Sequence, residues 1–360
     1  MNGAAGKVMI MAAGTGGHIF PGLAVAAALV ARGAGVIWLG TPAGMEGRLV
    51  RDAGYPMFTI AIEGLRGRGL GLWLLSPWHV GRAVFAALAI LRRERPACVL
   101  SMGGYVAGPG GIAAWLAGIP LVIHEQNRIP GLTHRWLARL AAIVCCGFAG
   151  TFERPAVRVT GNPVRRSLWA ADDVRARYQR RPGGARLLVL GGSRGARYFN
   201  ETVPPALAAF AAGGVPEVRH QCGASAVPDT RAAYERYGIA AEVVPFIDDM
   251  AAAYGWADLV LARSGALTVS ELAAAGVAAF LVPYPYAADD HQWANGEILA
   301  AAGAARLERQ EGLDAAHLAA ALEPLLNDRP LLVTMAESAR RLARPAAAEQ
   351  VAAACLEAMR

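Results

Sequence analysis

The stretch LVLARSGALTVSELAAAGVAAFLVPYPYAADDHQ, residues 259–292, decides the fold. Leu259–Leu261 is apolar at every position, as expected of a strand buried on both faces of a parallel sheet. Arg263-Ser264-Gly265 interrupts this run, and the Ala- and Leu-rich segment Ala266–Ala275 predicts a helix. A helix that begins directly after a strand points its free backbone N–H groups out of the carboxyl edge of the sheet. The stretch therefore predicts a strand–turn–helix–strand unit with an anion site at its turn.

Glu271 lies beyond the first turn of this helix, too far along to serve in a capping box, and its helical neighbours are mostly apolar. A carboxylate at this position can accept hydrogen bonds from both hydroxyls of a ribose. The alternative is a solvated acid on the outer face of the helix, and the helix pattern alone does not decide between the two.

Composition favours two well-buried α/β domains, because 360 residues exceed the roughly 250–300 that one core serves. Hydrophobic residues make up 55% and charged residues 18%, which argues against disorder. Lys7 is the single lysine among 35 basic residues, and the net charge is +7. Arginine binds phosphate through a planar fork, so an anionic ligand or membrane surface fits, although coding bias would give the same count. The dispersed arginines, without an aromatic-basic module, argue against nucleic acid.

The five cysteines have neither metal-ligand spacing nor a disulfide pattern and are expected to be reduced core residues of a cytosolic protein: Cys98, Cys145, Cys146, Cys222 and Cys355. Val8–Ala13 runs into a glycine-rich loop without a signal-peptide cleavage site. No apolar run reaches the ~18 residues of a membrane span. We therefore expect a protein that is soluble or bound to a membrane surface.

The chain begins with a predicted strand, Val8–Ala12, the glycine loop 13–18, and a helix opened by Pro21. Glycines let the backbone adopt positive φ and approach a ligand closely. His18 ends this loop, where its side chain would face a cleft, although a single histidine is more often structural. A second loop, Gly103–Gly111, contains five glycines in nine residues and predicts close approach to a bulky anionic group.

A polar cluster, Glu125-Gln126-Asn127, follows the strand predicted at Pro120–His124, at the same edge of the sheet as His18. The pattern then restarts: strand Leu187–Leu190, the glycine loop 191–196 and a helix repeat the first unit of the chain. This repeat predicts two similar domains joined by a linker near 160–165.

Residues 70–85 are predicted to form an interfacial segment that docks on a membrane. Arg66, Arg68, Arg92 and Arg93 flank it, and its glycines and proline argue against one buried helix. The apolar side chains expected to insert are Leu72, Trp73, Leu75, Trp78 and Phe85, which Trp115 could join. The alternative is ordinary core beneath a loop.

The ordered motifs together resemble the MurG family, the peptidoglycan N-acetylglucosaminyltransferases that make lipid II. They are GTGGHIFPGLA (14–24), GGYV (103–106), HEQN (124–127), GNPVR (161–165), GGS (191–193) and RSGALTVSE (263–271). Two departures are small: Ala13 replaces a third loop glycine, and Asp290-His291-Gln292 leaves Gln292 as the residue that matches a Gln-Gln pair.

The resemblance implies an α/β protein with two Rossmann-like, doubly wound parallel-sheet domains that face each other across a cleft, the GT-B arrangement. Residues 1–163 would bind the acceptor lipid I (undecaprenyl-pyrophosphoryl-MurNAc-pentapeptide) and dock on the membrane. Residues 164–340 would bind UDP-GlcNAc, and a helix in 341–360 would pack back on the first domain.

The implied donor contacts are Thr15, Gly16, Gly17, Asn127, Arg165, Ser193, Ile247, Ala266, Leu267, Thr268, Val269, Ser270, Glu271 and Gln292. The acceptor diphosphate would contact Gly14, Gly103, Gly104 and Tyr105. The reaction is an inverting displacement that needs a general base, for which His18 is the first candidate and Glu125 the second. The chain has no Asp-x-Asp triplet, so we expect neither a metal nor another cofactor.

Two other functions remain open at this stage: a UDP-GlcNAc 2-epimerase of similar fold, and a non-catalytic, membrane-associated binder of nucleotide sugars. The epimerase needs no lipid acceptor, so the segment at 70–85 and the loop Gly103–Gly111 argue against it. The expected location is the anionic surface on the cytoplasmic side of the inner membrane. Whether other cell-wall synthesis proteins are partners is left open at this stage.

Overall fold

The computed structural model describes residues 5–62, 76–153, 156–170, 173–181, 183–192, 195–210 and 214–360. The chain divides into two compact units. Unit 1 comprises Met1–Val164 and Arg344–Arg360, and unit 2 comprises Arg165–Ala343. The chain thus leaves unit 1 directly after Val164 and returns to it for its last helix.

Within the described residues, the sheet of unit 1 has seven strands in the order β3-β2-β1-β4-β5-β6-β7. Neighbouring strands are parallel throughout. The strands are β1 Ala5–Ala12, β2 Ala34–Gly40, β3 Met57–Thr59, β4 Cys98–Gly103, β5 Leu121–Glu125, β6 Ile143–Cys146 and β7 Val157–Val159.

Helices cover both faces of this sheet, which makes unit 1 doubly wound. They are α1 Gly16–Val30, α2 Glu46–Asp52, α3 Ser76–Glu94, α4 Ala107–Leu116, α5 Leu132–Leu137 and, at the end of the chain, α14 Ala347–Ala358. Val8 and Ile10 of β1 belong to the core that contains α1 and α14, whereas Met9 and Met11 belong to the core that contains α3 and α4. This alternation follows from the two-residue period of a strand.

In the described part of unit 2, six parallel strands form a sheet in the order β10-β9-β8-β11-β12-β13. They are β8 Arg186–Leu190, β9 Glu217–Gln221, β10 Ala241–Val244, β11 Leu259–Ala262, β12 Ala278–Leu281 and β13 Ala305–Leu307. The helices are α6 Val174–Gln179, α7 Arg197–Ala208, α8 Val227–Arg236, α9 Met250–Trp256, α10 Ala266–Ala275, α11 His291–Ala301, α12 Ala315–Asn327 and α13 Arg329–Arg341. One core packs Leu187, Leu261 and Phe280 of the sheet against Phe199 and Leu207 of α7.

Helix α1 differs from its prediction, because it begins at Gly16 rather than at Pro21. Thr15 is extended, and its carbonyl accepts the N–H groups of His18 and Ile19, which starts the helix one turn earlier. Proline removes a single helical hydrogen bond, and here that bond lies close to the helix start. His18 is therefore held on the first turn of a helix, not on a loop.

Helix α3 contains the described part of the segment 70–85. Ser76–Glu94 is one continuous helix, whereas residues 63–75 lie outside the described residues, so the prediction that the whole segment is not one buried helix is not tested. Ala83, Ala87 and Leu91 recur at helical spacing and are buried, so one stripe of α3 belongs to the core. Leu72, Trp73 and Leu75 lie outside the described residues.

All five cysteines are buried. Across the described ranges, every helix is too short or too polar to cross a lipid bilayer.

The turn between β4 and α4 allows a test of backbone constraint. Gly104 has a φ of +82°, and a Cβ atom there would lie 2.1 Å from the Ala13 carbonyl oxygen. Gly54 has a φ of +79° but no atom of the described chain within 4 Å of such a Cβ. Gly54→Ala should therefore cost only the left-handed backbone penalty, about 1–2 kcal/mol, and Gly104→Ala should cost at least about 2 kcal/mol more.

Chemical denaturation of both variants and the parent would measure this difference. Equal losses would show that the first glycine loop moves aside at no cost.

Candidate active site

The topology of each sheet fixes where a ligand can bind. The strand order reverses between β1 and β4 in unit 1 and between β8 and β11 in unit 2. In open parallel sheets the loops at the carboxyl ends of such strands diverge and leave a crevice. The glycine motifs GTGG, GGYV and RSG and the pair Gly191-Gly192 lie at the ends of these four strands, whereas GNPVR follows β7.

In unit 1 a buried carboxylate holds the first glycine loop. Glu46 is fully buried, and its Oε2 accepts the N–H of Gly14 at 3.3 Å. Its Oε1 accepts the N–H and the hydroxyl of Thr41 at 2.9 and 2.7 Å. Sequence reasoning missed Glu46, because an acid at the start of a short helix ordinarily signals only helix polarity.

The second glycine loop packs against the first. Gly103 and Gly104 have φ values of +110° and +82°, and Tyr105, which is 50% exposed, lies over Gly14. A Cβ atom on residue 103 would lie 2.7 Å from Nδ1 of His18. The absence of a Cβ atom at residue 103 therefore leaves the space that the imidazole of His18 occupies.

His18 has the properties of a general base. Burial lowers its pKa, and the Glu125 carboxylate opposes this shift only in part, so the ring is neutral at pH 7. Its Nδ1 is buried and has no hydrogen-bond partner among the described residues. A neutral imidazole can accept a proton through a ring nitrogen that a substrate reaches, and His18 as a whole is only half-buried.

Glu125 is a poor base by comparison. It is the last residue of β5 and only 3% exposed. Its Oε1 accepts the N–H and the side-chain amide of Asn127 at 3.0 and 3.1 Å, and its Oε2 accepts the N–H of Gly131 at 3.2 Å and Nδ1 of His134 at 3.0 Å. Burial alone would raise its pKa, but these donors lower it to about 2. A carboxylate this acidic accepts a proton reluctantly.

The residues around Glu125 attach the GNPVR motif to the edge of the sheet. His124, whose pKa burial lowers to about 4, lies 3.0 Å from the carbonyl of Gly161 through Nε2. The Gln126 side chain donates to the Met102 carbonyl at 2.8 Å. Asn162 donates to the Gln126 carbonyl at 3.1 Å. These polar residues are therefore structural supports of the loops.

In unit 2 the N-terminus of α10 is open. Gly265 is extended, and among the described residues no side chain caps the helix. Below it, Arg263 donates to the carbonyls of Val282 and Pro283 at 3.0 and 2.9 Å, and burial lowers its pKa. Ser264 is fully buried, and its hydroxyl has no partner in the described part of the chain. The first N–H groups of α10 can therefore bind an anion.

Glu271 is 5% exposed, so it is not a solvated helix acid. Tyr254 donates its hydroxyl to Oε2 at 3.1 Å, and Arg165 Nε lies 3.7 Å from Oε1. Burial raises the pKa of Glu271, while Arg165 and Tyr254 lower it. Within the described residues Oε1 accepts no hydrogen bond, which leaves an acceptor for a ligand hydroxyl.

Two arginines hold the other end of α10. Arg177, which is buried, donates to the carbonyl of Ala275 at 2.9 Å and also to that of Gly276. Arg340 donates to the carbonyl of Ala274. They satisfy the carbonyls that a helix end leaves open, and their charges suit its negative pole.

The other residues predicted to contact the sugar donor differ in which of their groups remain available to a ligand. Val269 is 1% exposed and so offers a ligand only its backbone, and the Ser270 hydroxyl donates back to the Ala266 carbonyl at 2.9 Å. Gln292 Oε1 accepts the N–H of Tyr284 at 2.9 Å. Those with half-buried or exposed side chains are Thr15, Arg165, Ile247, Leu267 and Thr268. Ser193 lies outside the described residues.

Among the residues that the structure describes, no group of three or more His, Cys, Asp or Glu side chains is arranged to hold a metal ion.

The chain matches two family models in sequence order. Residues 8–146 match the glycosyltransferase family 28 N-terminal domain, and residues 186–351 match the family 28 C-terminal domain. This chain belongs to glycosyltransferase family 28. Full-length relatives narrow the assignment within the family.

The relatives are similar over nearly their whole length. A protein of Halorhodospira halophila is 55% identical over 97% of this chain and 98% of its own, and one of Marinobacter nauticus is 52% identical over 98% and 97%. Both are named UDP-N-acetylglucosamine--N-acetylmuramyl-(pentapeptide) pyrophosphoryl-undecaprenol N-acetylglucosamine transferase. The crystal structure of Acinetobacter baumannii MurG is 41% identical, with a TM-score of 0.83 over 98% of this chain and 99% of that one.

This family 28 member is thus an enzyme, an N-acetylglucosaminyltransferase of the hexosyltransferase class. A structure of a putative UDP-N-acetylglucosamine 2-epimerase of Listeria monocytogenes has a TM-score of 0.68 at 15% identity, which is a likeness of fold alone. Neither the epimerase nor the non-catalytic binder is favoured.

The environment of Glu125 predicts a specific acid sensitivity. Its pKa falls from an ordinary 4.5 to about 2 on folding. The resulting stability, roughly 3 kcal/mol, is present above pH 4.5 and is lost as the pH falls towards 2. The stability gap between the parent and Glu125→Gln should therefore shrink by this amount across that range.

Denaturant unfolding at several pH values measures the gap. Thr151→Val, a buried change that does not titrate, is the control and should cost the same at every pH. A gap for Glu125→Gln that is equally constant would contradict the assignment.

Proposed function

We propose that this enzyme transfers N-acetylglucosamine from UDP-N-acetylglucosamine to the C4 hydroxyl of the N-acetylmuramoyl residue of lipid I, with inversion at the anomeric carbon. The product is lipid II for peptidoglycan synthesis. The names of the relatives describe this transfer. The observation that carries the proposal on the side of the structure is the open N-terminus of α10, with the buried carboxylate of Glu271 on the same helix.

In this proposal the donor diphosphate binds at the start of α10. The N–H groups of Ala266 and Leu267 and the helix dipole neutralise its charge. Glu271 Oε1 accepts the ribose hydroxyls, and the backbone at Ile247 meets the edge of the uracil. The further proposed donor contacts are Thr15, Gly16, Gly17, Asn127, Arg165, Ser193, Thr268, Val269, Ser270 and Gln292.

The acceptor diphosphate is proposed to bind at the glycine loops of unit 1, through Gly14, Gly103, Gly104 and Tyr105. Positive φ values at Gly14, Gly103 and Gly104 support this role, because successive backbone N–H groups in such turns can form a concave anion-binding site.

Chemistry then needs one proton transfer and one displacement. His18 accepts the proton of the C4 hydroxyl while its oxygen forms a bond to the anomeric carbon. The bond from that carbon to the β-phosphate oxygen breaks, and its electron pair leaves with UDP. The α10 N-terminus stabilises the charge that develops on UDP, so the proposal requires no metal.

Binding and chemistry should separate in two variants. Glu271→Ala removes the proposed ribose acceptor and should weaken UDP binding by about 1.5–3 kcal/mol. His18→Ala should lower kcat by about 10²- to 10⁴-fold with UDP affinity unchanged. Calorimetry with UDP and turnover assays in excess chelator measure the two effects.

Glu201→Ala, which removes an exposed carboxylate of unit 2, is the control and should change neither quantity. Unchanged UDP affinity in Glu271→Ala would refute the donor site. A loss in His18→Ala confined to donor affinity would make His18 a binding residue, and turnover abolished by the chelator would mean that a metal carries the leaving group.

We further propose that unit 1 docks on the cytoplasmic face of the inner membrane, as an enzyme with a membrane-embedded acceptor must. On α3, Trp78 and Phe85 are 68% and 74% exposed, one turn either side of the exposed Arg82. Helix α4 contacts both α3 and α5. The exposed apolar residues of α4 and α5 are Trp115, Leu116, Leu132 and Trp136.

The exposure of Trp78 and Phe85 supports insertion over ordinary core. Arg92 at the end of α3 is exposed as well and can meet anionic headgroups. Other cell-wall synthesis proteins are proposed partners only on the ground that lipid II must be passed on.

Vesicle binding tests the docking face. Trp78→Ser/Phe85→Ser should bind anionic vesicles at least about 10-fold more weakly, because two apolar side chains no longer insert. Binding of the parent should fall with added salt. Sedimentation with vesicles would measure both.

Tyr286→Ser is the control, since Tyr286 is 82% exposed and belongs to unit 2. The double variant should still turn over a water-soluble acceptor with a short lipid. If it bound vesicles like the parent, the docking face would lie elsewhere.

A further inference from the structure

Three side chains form a buried hydrogen-bonded chain at the carboxyl edge of unit 1. Ser101 Oγ lies 3.1 Å from His134 Nε2, and His134 Nδ1 lies 3.0 Å from Glu125 Oε2. Their exposures are 0%, 4% and 3%. They come from β4, α5 and β5, which no local sequence pattern links.

The order serine, histidine, carboxylate is that of a hydrolase triad, but these residues cannot act as one. A nucleophilic serine must reach a substrate carbonyl, and Ser101 is fully buried. Any function of these three hydrogen-bonded side chains must therefore act through Glu125, at the end opposite Ser101.

The hydrogen bonds fix the tautomer of His134. Glu125, whose pKa is about 2, is ionised and can only accept, so the proton of the imidazole must lie on Nδ1. In the neutral ring Nε2 is then the acceptor for the hydroxyl of Ser101. Ser101 thereby favours the tautomer that donates to Glu125.

Glu125 in turn fixes the loop that follows it. Its Oε1 receives both the backbone N–H and the side-chain amide of Asn127, and its Oε2 receives the N–H of Gly131 as well as His134. Each carboxylate oxygen therefore has two donors. Without the hydrogen bond from His134 the carboxylate could rotate, and the side-chain amide of Asn127 would no longer be held in one orientation.

We propose that His134 is a positioning residue for glycosyl transfer: by donating Nδ1–H to Glu125, it fixes the carboxylate that orients the side chain of Asn127 towards the donor. This inference rests on the proposed function, because it takes Asn127 as a donor contact. His134 itself touches no substrate.

The test replaces the histidine in two ways. His134→Asn keeps an N–H donor close to the position of Nδ1, whereas His134→Leu keeps only bulk. We expect His134→Leu to raise the KM for UDP-N-acetylglucosamine and to lower kcat/KM by about 10- to 100-fold. His134→Asn should remain within about threefold of the parent, since it preserves the hydrogen bond.

A double-mutant cycle identifies the route. If His134 acts through Asn127, His134→Leu should have little further effect in an Asn127→Ala background. Ser101→Ala, a smaller change, should cost about 2- to 5-fold by releasing the tautomer, and this loss too should vanish in that background. It tests the route independently should His134→Leu fail to fold.

His220→Asn is the matched control. His220 is a buried histidine of unit 2 whose Nδ1 lies 3.0 Å from the Tyr234 hydroxyl, and its replacement should not change the KM for the donor selectively. UDP affinity and thermal unfolding of every variant report folding.

Equal losses in the Asn and Leu variants, or losses that simply add to that of Asn127→Ala, would overturn the inference. If Asn127→Ala itself is silent, the proposed donor contact fails instead. If Asn127→Ala is impaired but His134→Leu and Ser101→Ala are not, this inference alone fails.

Discussion

Helix α10 is the feature on which the rest of the candidate site depends, because side chains satisfy the backbone groups at its C-terminus but not those at its N-terminus. At its C-terminus Arg177 and Arg340 donate to the last carbonyls, and Gly276 ends the helix with a positive φ. At its N-terminus the backbone N–H groups follow an uncapped glycine. A buried helix end without partners is costly, so an open N-terminus at the carboxyl edge of a sheet is where an anionic ligand gains most.

Two buried carboxylates illustrate how environment divides structural from functional roles. Glu125 has two donors on each oxygen, and its pKa lies far below the ordinary range. Glu271 has the Tyr254 hydroxyl and a more distant arginine, and burial raises its pKa. The satisfied carboxylate organises a loop, while the unsatisfied one retains an acceptor. A buried charge without full compensation is costly to keep, which is why it marks a place where a ligand completes the network.

His18 shows how the two glycine loops cooperate within unit 1. The ring comes from the first turn of α1, and its space comes from the missing Cβ of Gly103 on another strand. The first loop is in turn held by the hydrogen bond from the Gly14 N–H to Glu46 of α2. Three separate segments thus set the position of one imidazole, and none of them could do so alone.

The sequence by itself determined the two-fold repeat of strand, glycine loop and helix, the bounds of α10, and the residues at the carboxyl edges of the strands. It could do so because these features are local: apolar runs, helix-forming residues and glycines report on their own few neighbours. The family followed from motifs whose order is likewise written in the chain. The start of α1 was misplaced because the Thr15 carbonyl, rather than Pro21, begins the helix. The helical form of Ser76–Glu94 was not predicted, because only a narrow stripe of this helix, with Ala83, Ala87 and Leu91, is buried. Only the tertiary structure decided what Glu46, Glu125 and His134 do. Glu46 and His134 meet Gly14 and Ser101, which lie 32 and 33 residues away in the chain, while the donors to Glu125 lie within nine residues but converge only because the loop after β5 folds back over its carboxylate. Hydrogen bonding, burial and the pKa values they set depend on this three-dimensional arrangement, which no local pattern encodes.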